Sequence, residues 1–307
     1  MFNLPYVPTA DDLIDKAFRA GAKKSKTVRG MSRRKPEKAL TAEIKRVEQI
    51  SAIVEGDLNA VVKHFPSYEE LSEFHQALLD LRVKKDRYKK SLGAVKWCSD
   101  RVSSLKNKTL RKLKTQKDLG ESRVFLGRVS SFIKRVRKDL DYLVEVKGVL
   151  LSFPFLKDEP TLVVAGVPNA GKSTFVRTLT GSKVKIASYP FTTTEIMIGY
   201  RKVRYMEYQV IDSPGILDRP MEDRNRTELQ AVLAIEHLAD VVLFIIDPES
   251  ELENQLRLLD EIEQNFNLKV HTAVNDKGGE NPKGYETFNA TKEEDCLRLF
   301  KECIGLK

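Results

Sequence analysis

Thr161-Leu-Val-Val-Ala-Gly166-Val-Pro-Asn-Ala-Gly171-Lys172-Ser173-Thr174-Phe-Val-Arg-Thr-Leu179 is the stretch that decides the fold. An apolar run of buried-strand length enters Gly-x-x-x-x-Gly-Lys-Ser, which opens a helical stretch over Thr174–Leu179. The glycines let the backbone curl so that its N–H groups face phosphate oxygens. The helix N-terminus behind them adds partial positive charge. Lys172 supplies a point charge to the β- and γ-phosphates, and the Ser173 hydroxyl suits Mg²⁺. The pattern alone can arise by chance. In its strand–loop–helix context it predicts phosphate binding.

Asp212-Ser-Pro-Gly215 closes a second strand run, Tyr208–Ile211, 46 residues after Gly166. An aspartate at a strand end can hold Mg²⁺ through water, and the Gly215 amide can sense a γ-phosphate. Between the two motifs lies Tyr189-Pro-Phe-Thr-Thr-Thr194, whose hydroxyls can complete a metal shell. Taken singly, the first reads as a turn and the second as a strand start. In this order they predict two loops held by the γ-phosphate and released when it leaves. Further apolar runs at Val241–Ile246 and Lys269–Val274 alternate with helical stretches, the pattern of an α/β domain with a mainly parallel sheet.

The first half has a different texture. Ile44, Val47, Ile50, Ile53, Val54 and Leu58 recur at helical spacing, and Phe65-Pro66 ends that run. Ser67 and Glu70 offer a capping box for a helix running through His75 and past Tyr88. Val129, Phe132, Ile133, Val136, Leu140 and Leu143 form one stripe on a further helix. Trp97 and Cys98 are expected in the core of the resulting bundle. Gly21–Lys38, basic and interrupted by two glycines and a proline, reads as a loop or mobile arm. The expected fold class is α + α/β: a basic helical bundle over residues 1–155 and a P-loop domain over residues 156–307.

Charge divides the chain at the same place. Residues 1–150 hold 34 Lys and Arg against 19 Asp and Glu, a balance of +15. The remainder carries −6 of the overall +9. A basic domain beside an acidic one suggests a polyanion partner, and the alternative is a solvated helical surface. The Gly21–Lys38 stretch, lying on this basic half, is read as contacting nucleic-acid phosphates rather than serving as a linker. No apolar stretch is long enough to span a bilayer, and the N-terminus lacks the pattern of a secretion signal. Cys98, Cys296 and Cys303 have no metal-site spacing and are expected to be reduced and structural, as in a cytoplasmic protein. The four histidines stand singly and read as packing or surface residues.

Gly166-x-Pro-Asn-x-Gly-Lys-Ser173, Tyr189-Pro-Phe-Thr-Thr193 and Asp212-x-Pro-Gly215 resemble the Obg-related branch of GTPases. The extension Asp212-Ser-Pro-Gly-Ile-Leu-Asp-Arg-Pro-Met-Glu-Asp-Arg-Asn225 resembles the nucleolar GTP-binding protein 1 family, in its compact archaeal type. The basic half agrees at Val7-Pro-Thr-Ala-Asp-Asp-Leu-Ile-Asp15, Phe65-Pro66, Asp86-Arg-Tyr-Lys89, and Leu126-Gly-Arg128 with Ile133-Lys-Arg135. The resemblance implies a GTPase acting in large ribosomal subunit assembly, bound to rRNA and ribosomal proteins. By it, Lys172, Thr193 and Gly215 form the catalytic set. Gly166, Pro168, Asn169, Ala170, Gly171, Lys172, Ser173, Thr174, Asn275, Asp276, Asn289 and Ala290 hold GTP or GDP. Ser173, Thr193 and Asp212 hold Mg²⁺, and Asn169 is placed for K⁺.

Two departures qualify this. Guanine-specific members of the branch carry Asn-Lys-x-Asp after the fifth core strand, the aspartate reading the guanine edge. Here Asn275-Asp-Lys-Gly278 puts Asp276 in the lysine's place and Gly278 in the aspartate's. Asp276 or Glu280 could substitute through a shifted loop. Asn289-Ala-Thr291 resembles the last guanine-contacting loop. Second, Ile216 follows Gly215 where many GTPases place a water-orienting glutamine, which predicts slow turnover unaided. The rival readings are an rRNA-binding scaffold using nucleotide as a structural ligand, and an NTPase of relaxed specificity.

Overall fold

The computed structural model describes residues 2–30, 35–181, 184–190, 195–212, 217–218 and 225–306. Switch candidates Thr193, Gly215 and Ile216 lie outside them, as does Glu222-Asp-Arg224. The described chain divides into two compact units. One comprises Phe2–Glu70 and Val83–Leu151, the other Leu71–Arg82 and Ser152–Lys307. The sequence division at 155/156 does not separate out residues 71–82, which group with the sheet.

The first unit is helical: α1 (Ala10–Gly30), α2 (Lys35–His64), α4 (Lys85–Gln116), α5 (Gly120–Arg135) and α6 (Arg137–Leu151). The helix α3 (Glu73–Asp80) falls between them in sequence and belongs to the second unit. Thr9 starts α1, its hydroxyl accepting the Asp12 N–H at 3.1 Å. Asp11 and Asp12 in the first turn and Arg29 in the last complement the helix dipole. Leu13, Ala17, Gly21 and Ser25, four residues apart, make its buried face. Val47, Ile50, Val54, Leu58 and Val61 do the same for α2, and Tyr88, Val95, Cys98, Val102 and Leu113 for α4. Polar cross-links fix register inside this core. Glu43 accepts from Ser122 at 2.5 Å and from Arg29 at 2.6 Å, and Ser99 donates to Asn59 at 3.0 Å.

Several expectations for the first half of the chain are corrected. Gly21–Gly30 is not a loop but the second half of α1, and Lys35–Lys38 begin α2. The glycine and the basic run misled because Gly21 is a packing position. A Cβ there would lie 2.5 Å from Ile50 Cγ1. Ser67 does not cap a helix; a 3-10 turn at Tyr68–Glu70 follows it. Ser72 caps α3 instead, accepting the His75 N–H at 3.4 Å. That helix stops at Asp80, and α4 starts afresh at Lys85. The stripe from Val129 to Leu143 spans two helices, α5 and α6, with Val136 at the break. Trp97 is half-buried rather than core, while Cys98 is fully buried.

The second unit holds a seven-stranded sheet in the order β2-β3-β4-β1-β5-β6-β7. Its strands are β1 (Thr161–Ala165), β2 (Lys185–Ser188), β3 (Glu195–Val203), β4 (Met206–Asp212), β5 (Val241–Ile246), β6 (Lys269–Asn275) and β7 (Glu286–Phe288). β1 pairs in parallel with β4 and β5, and β5, β6 and β7 continue in parallel. β3 is antiparallel to both β2 and β4. Sequence reading found β1, β4, β5 and β6 and missed β2, β3 and β7, of which β2 and β7 are only 4 and 3 residues long. β1 and β5 are buried at every position, as parallel strands covered on both faces must be. The helices are α7 (Lys172–Thr180), α8 (Arg226–Leu233), α9 (Leu252–Asn265) and α10 (Glu293–Cys303). Edge-to-face contacts Phe175–Phe288 and Tyr208–Phe300, with centroids 5.7 and 5.5 Å apart, tie α7 and α10 to the sheet. Among the described residues, no helix is long and apolar enough to cross a membrane.

Candidate functional site

The site lies at the carboxyl end of the central strands. β1 ends at Ala165, and Gly166 turns the chain with φ +135. A Cβ on Gly166 would lie 2.3 Å from the Ile245 carbonyl oxygen, so only glycine fits against β5. Asn169 takes a left-handed conformation at φ 64, and Gly171 at φ +99 precedes the first turn of α7. Pro168 and Asn169 are exposed at the loop's tip, Ala170 is buried beneath it, and Thr174 is exposed on α7. No side chain caps α7, so its first N–H groups stay open to an anion.

Lys172 is buried, with Nζ donating to the Gly166 carbonyl at 2.7 Å and the Val167 carbonyl at 2.8 Å. Its ammonium is therefore held over the loop's concave backbone. Burial lowers its pKa, and the Asp212 and Asp218 carboxylates oppose that shift. Asp212 ends β4, fully buried, and accepts a short hydrogen bond from Ser173 Oγ. Burial raises its pKa against the pull of Ser173 and Lys172. Its second oxygen, Oδ1, is buried with no hydrogen-bond partner among the described residues. An orphaned carboxylate oxygen beside a hydroxyl and an anion-ready helix end is the donor set a hydrated Mg²⁺ takes when phosphate supplies the other ligands. Ser173 and Asp212 can hold that ion. Among the described residues no group of three or more His, Cys, Asp or Glu forms a protein-only cage. Sequence reasoning gave no role to Asp218, although it stood inside the quoted extension.

Asn275 stands at the end of β6. Its Nδ2 donates to the Ala170 carbonyl and its Oδ1 accepts the Ala290 N–H, both at 3.0 Å. One amide thus staples the phosphate loop to the loop after β7. A Cβ on Gly171 would meet this Nδ2 at 2.3 Å, which explains the glycine independently of any ligand. Asn289 is tied down by donating to the Asp276 carbonyl at 3.2 Å and accepting the Thr291 N–H at 2.9 Å. The Asp276 carboxylate accepts the Gly278 N–H at 2.9 Å, which together with Asn281 lowers its pKa. Lys277 is drawn away to Asp247 at 2.7 Å and Glu249 at 3.2 Å. Asp247 had no role in the sequence reading, and nothing in its local pattern announces one.

A family model for the NOG1 N-terminal helical domain matches residues 2–156. This chain belongs to the NOG1 family. A model for 50S ribosome-binding GTPases matches residues 161–276, so the second half is a GTPase domain of that class, the match ending at Asp276. An uncharacterized protein of Methanocaldococcus jannaschii is 38% identical over 89% of this chain and 79% of its own length. Nucleolar GTP-binding protein 1 of Eremothecium gossypii is 31% identical over 89% of this chain. This chain spans 44% of that fungal relative. A solved structure from Plasmodium falciparum, assigned as a nucleolar GTP-binding protein 1, is 24% identical. It covers 50% of this chain and 89% of its own at a TM-score of 0.42.

Proposed function

We propose that the chain is a GTP-hydrolysing switch in large ribosomal subunit assembly, docking on rRNA through its basic helical half. The observation that carries the chemistry is the Ser173–Asp212 pair with its orphaned Oδ1 beside the Lys172 ammonium. The family membership supports the ribosomal setting, and the +15 balance of residues 1–150 supports the RNA partner.

Lys172 exchanges its loop carbonyls for the β- and γ-phosphate oxygens, and the open N–H groups of α7 complete the cradle. Ser173 and Asp212 hold Mg²⁺, which when bound spreads the charge developing on the transferred phosphoryl group. Thr193 and Gly215 close on the γ-phosphate, and Asn169 at the loop tip takes a stimulating K⁺. The Ile216 side chain cannot hydrogen-bond a water, so unaided turnover is slow. The deciding experiment is equilibrium binding of GDP, GTP, ADP and ATP with Mg²⁺ and K⁺. A guanine preference above about tenfold, ~1.4 kcal/mol, supports the GTPase reading. Turnover that is unchanged by large-subunit precursors, or equal in NaCl and KCl, removes the switch or the K⁺ site respectively.

A second reading, an NTPase of relaxed base selectivity, is favoured by one observation. Asp276 is turned onto the Gly278 N–H and Lys277 is drawn to Asp247, so both charged side chains of the degraded motif are engaged locally. Comparable affinities for GTP and ATP are its expected signature.

A further inference from the structure

The helical unit neutralises many of its basic side chains internally. Lys16 pairs with Asp57, Arg29 with Glu43, Lys106 with Glu55 and Arg137 with Asp11. Arg101 of α4 and Arg135 of α5 are held differently. Their guanidinium carbons lie 5.8 and 5.5 Å from the ring centroid of Trp97, the chain's single tryptophan. Trp97 is half-buried and braced edge-on by Phe132 at 5.8 Å. Both arginines are exposed, and neither has a carboxylate partner among the described residues. The nearest acid in sequence, Asp100, is engaged by Lys96 at 2.8 Å.

A ring face restrains a guanidinium without consuming its N–H donors, whereas a carboxylate consumes them. Arg101 and Arg135 are thus positioned and still free to donate bidentately. Lys108 and Arg128, each two helical turns away on the same two helices, are exposed and likewise lack an acidic partner among the described residues. We propose that Trp97, Arg101 and Arg135 form a phosphate clamp for an RNA backbone, with Lys108 and Arg128 extending it along α4 and α5. The inference rests on the reading that the helical half meets RNA, and it assigns that meeting to one face. Charge complementarity selects the occupant: a +15 half with unneutralised guanidiniums beside an aromatic ring suits a polyanion carrying stacked bases.

The test uses the full chain and a fluorescein-labelled 20-nucleotide RNA hairpin with an unpaired loop. Anisotropy measures affinity at several salt concentrations. Emission excited at 295 nm then reports Trp97 alone on titration with the unlabelled hairpin. The expected result is a change in Trp97 emission that saturates with binding, and at least tenfold weaker binding in the R101Q/R135Q double variant. The salt dependence of that variant should flatten, as two phosphate contacts are lost. A K63Q/K84Q double variant removes the same charge from exposed positions at the end of α2 and just before α4, outside the Gly21–Lys38 stretch, and should weaken binding far less. Equal weakening by both pairs would overturn the clamp. So would binding of the hairpin with unchanged Trp97 emission; either result leaves RNA binding by the helical half standing. Failure of the hairpin to bind even at low salt would remove the broader reading as well.

Discussion

Phe74 packs its ring against Tyr189, with centroids 6.3 Å apart and planes inclined at 42°. The two residues come from opposite halves of the sequence, yet both belong to the sheet-containing unit. Phe74 lies on α3, which also packs on α8 and on the 3-10 turn at Ala234–His237. Tyr189 opens the Tyr-Pro-Phe-Thr-Thr-Thr segment and is anchored by donating to the Ala231 carbonyl at 2.7 Å. A segment of the helical half's sequence thus packs against the element leading into a switch candidate.

Phe74 is almost wholly buried, so Phe74→Ala should cost about 3–5 kcal/mol in urea denaturation, from lost transfer energy plus the cavity left behind. Phe74→Leu should cost clearly less. A loss below ~1 kcal/mol for the alanine variant would show that α3 is not a structural part of this unit.

His75, next along α3, is half-buried between Ser72 and Phe153, and its pKa is lowered chiefly by burial, against a hydrogen bond to Pro154. The neutral ring is therefore the form the native state prefers. Its contribution is fully present above about pH 6.5, the unfolded value. As pH falls below that value the unfolded chain takes up the proton first, and stability declines towards the lower folded pKa. Wild type should lose stability between pH 7 and 5 more steeply than His75→Gln. Parallel profiles would refute this.

Gly21→Ala tests the α1–α2 contact. Alanine is the better helix former by about 1 kcal/mol. Its Cβ, however, would press on Ile50 Cγ1 at 2.5 Å and lie 3.3 Å from the Arg46 carbonyl oxygen, and Ile50 is fully buried. Overpacking of this kind costs about 1–3 kcal/mol, so a net destabilisation is expected. Ile50→Ala by itself should cost about 2–5 kcal/mol, and the double variant should lose less than the sum of the two single losses. A gain in melting temperature for Gly21→Ala alone would mean that the helices separate without penalty.

Burial pushes the thiols of Cys98, Cys296 and Cys303 up to about 12. At pH 8 almost none is thiolate, the reactive form. The native chain should titrate no thiol with a disulfide reagent over minutes, and three after denaturation in guanidinium. Rapid native reaction at any of them would contradict the packing around it.

The phosphate loop, the strands β1, β4, β5 and β6 and the helical character of the first half, though not its helix boundaries, were legible in the sequence. Their causes are local. A strand, a glycine-bounded turn and a helix are contiguous in the chain, and an amphipathic stripe repeats within a few turns. The remaining features depend on contacts between segments distant in the chain. Phe74, Leu78 and Leu79 make an apolar stripe on α3 that would suit either half, and only the packing partner assigns it. Gly21 reads as a helix breaker until Ile50 is placed against it. Asn275 reads as a remnant of a base motif until Ala170 and Ala290, distant in sequence, meet its amide. Trp97 reads as core until two arginines from different helices are found against a half-exposed ring. In each case the deciding energy involves a pair of residues far apart in the chain, Trp97 and Arg135 in the last, and a pattern read along one segment holds no record of the other.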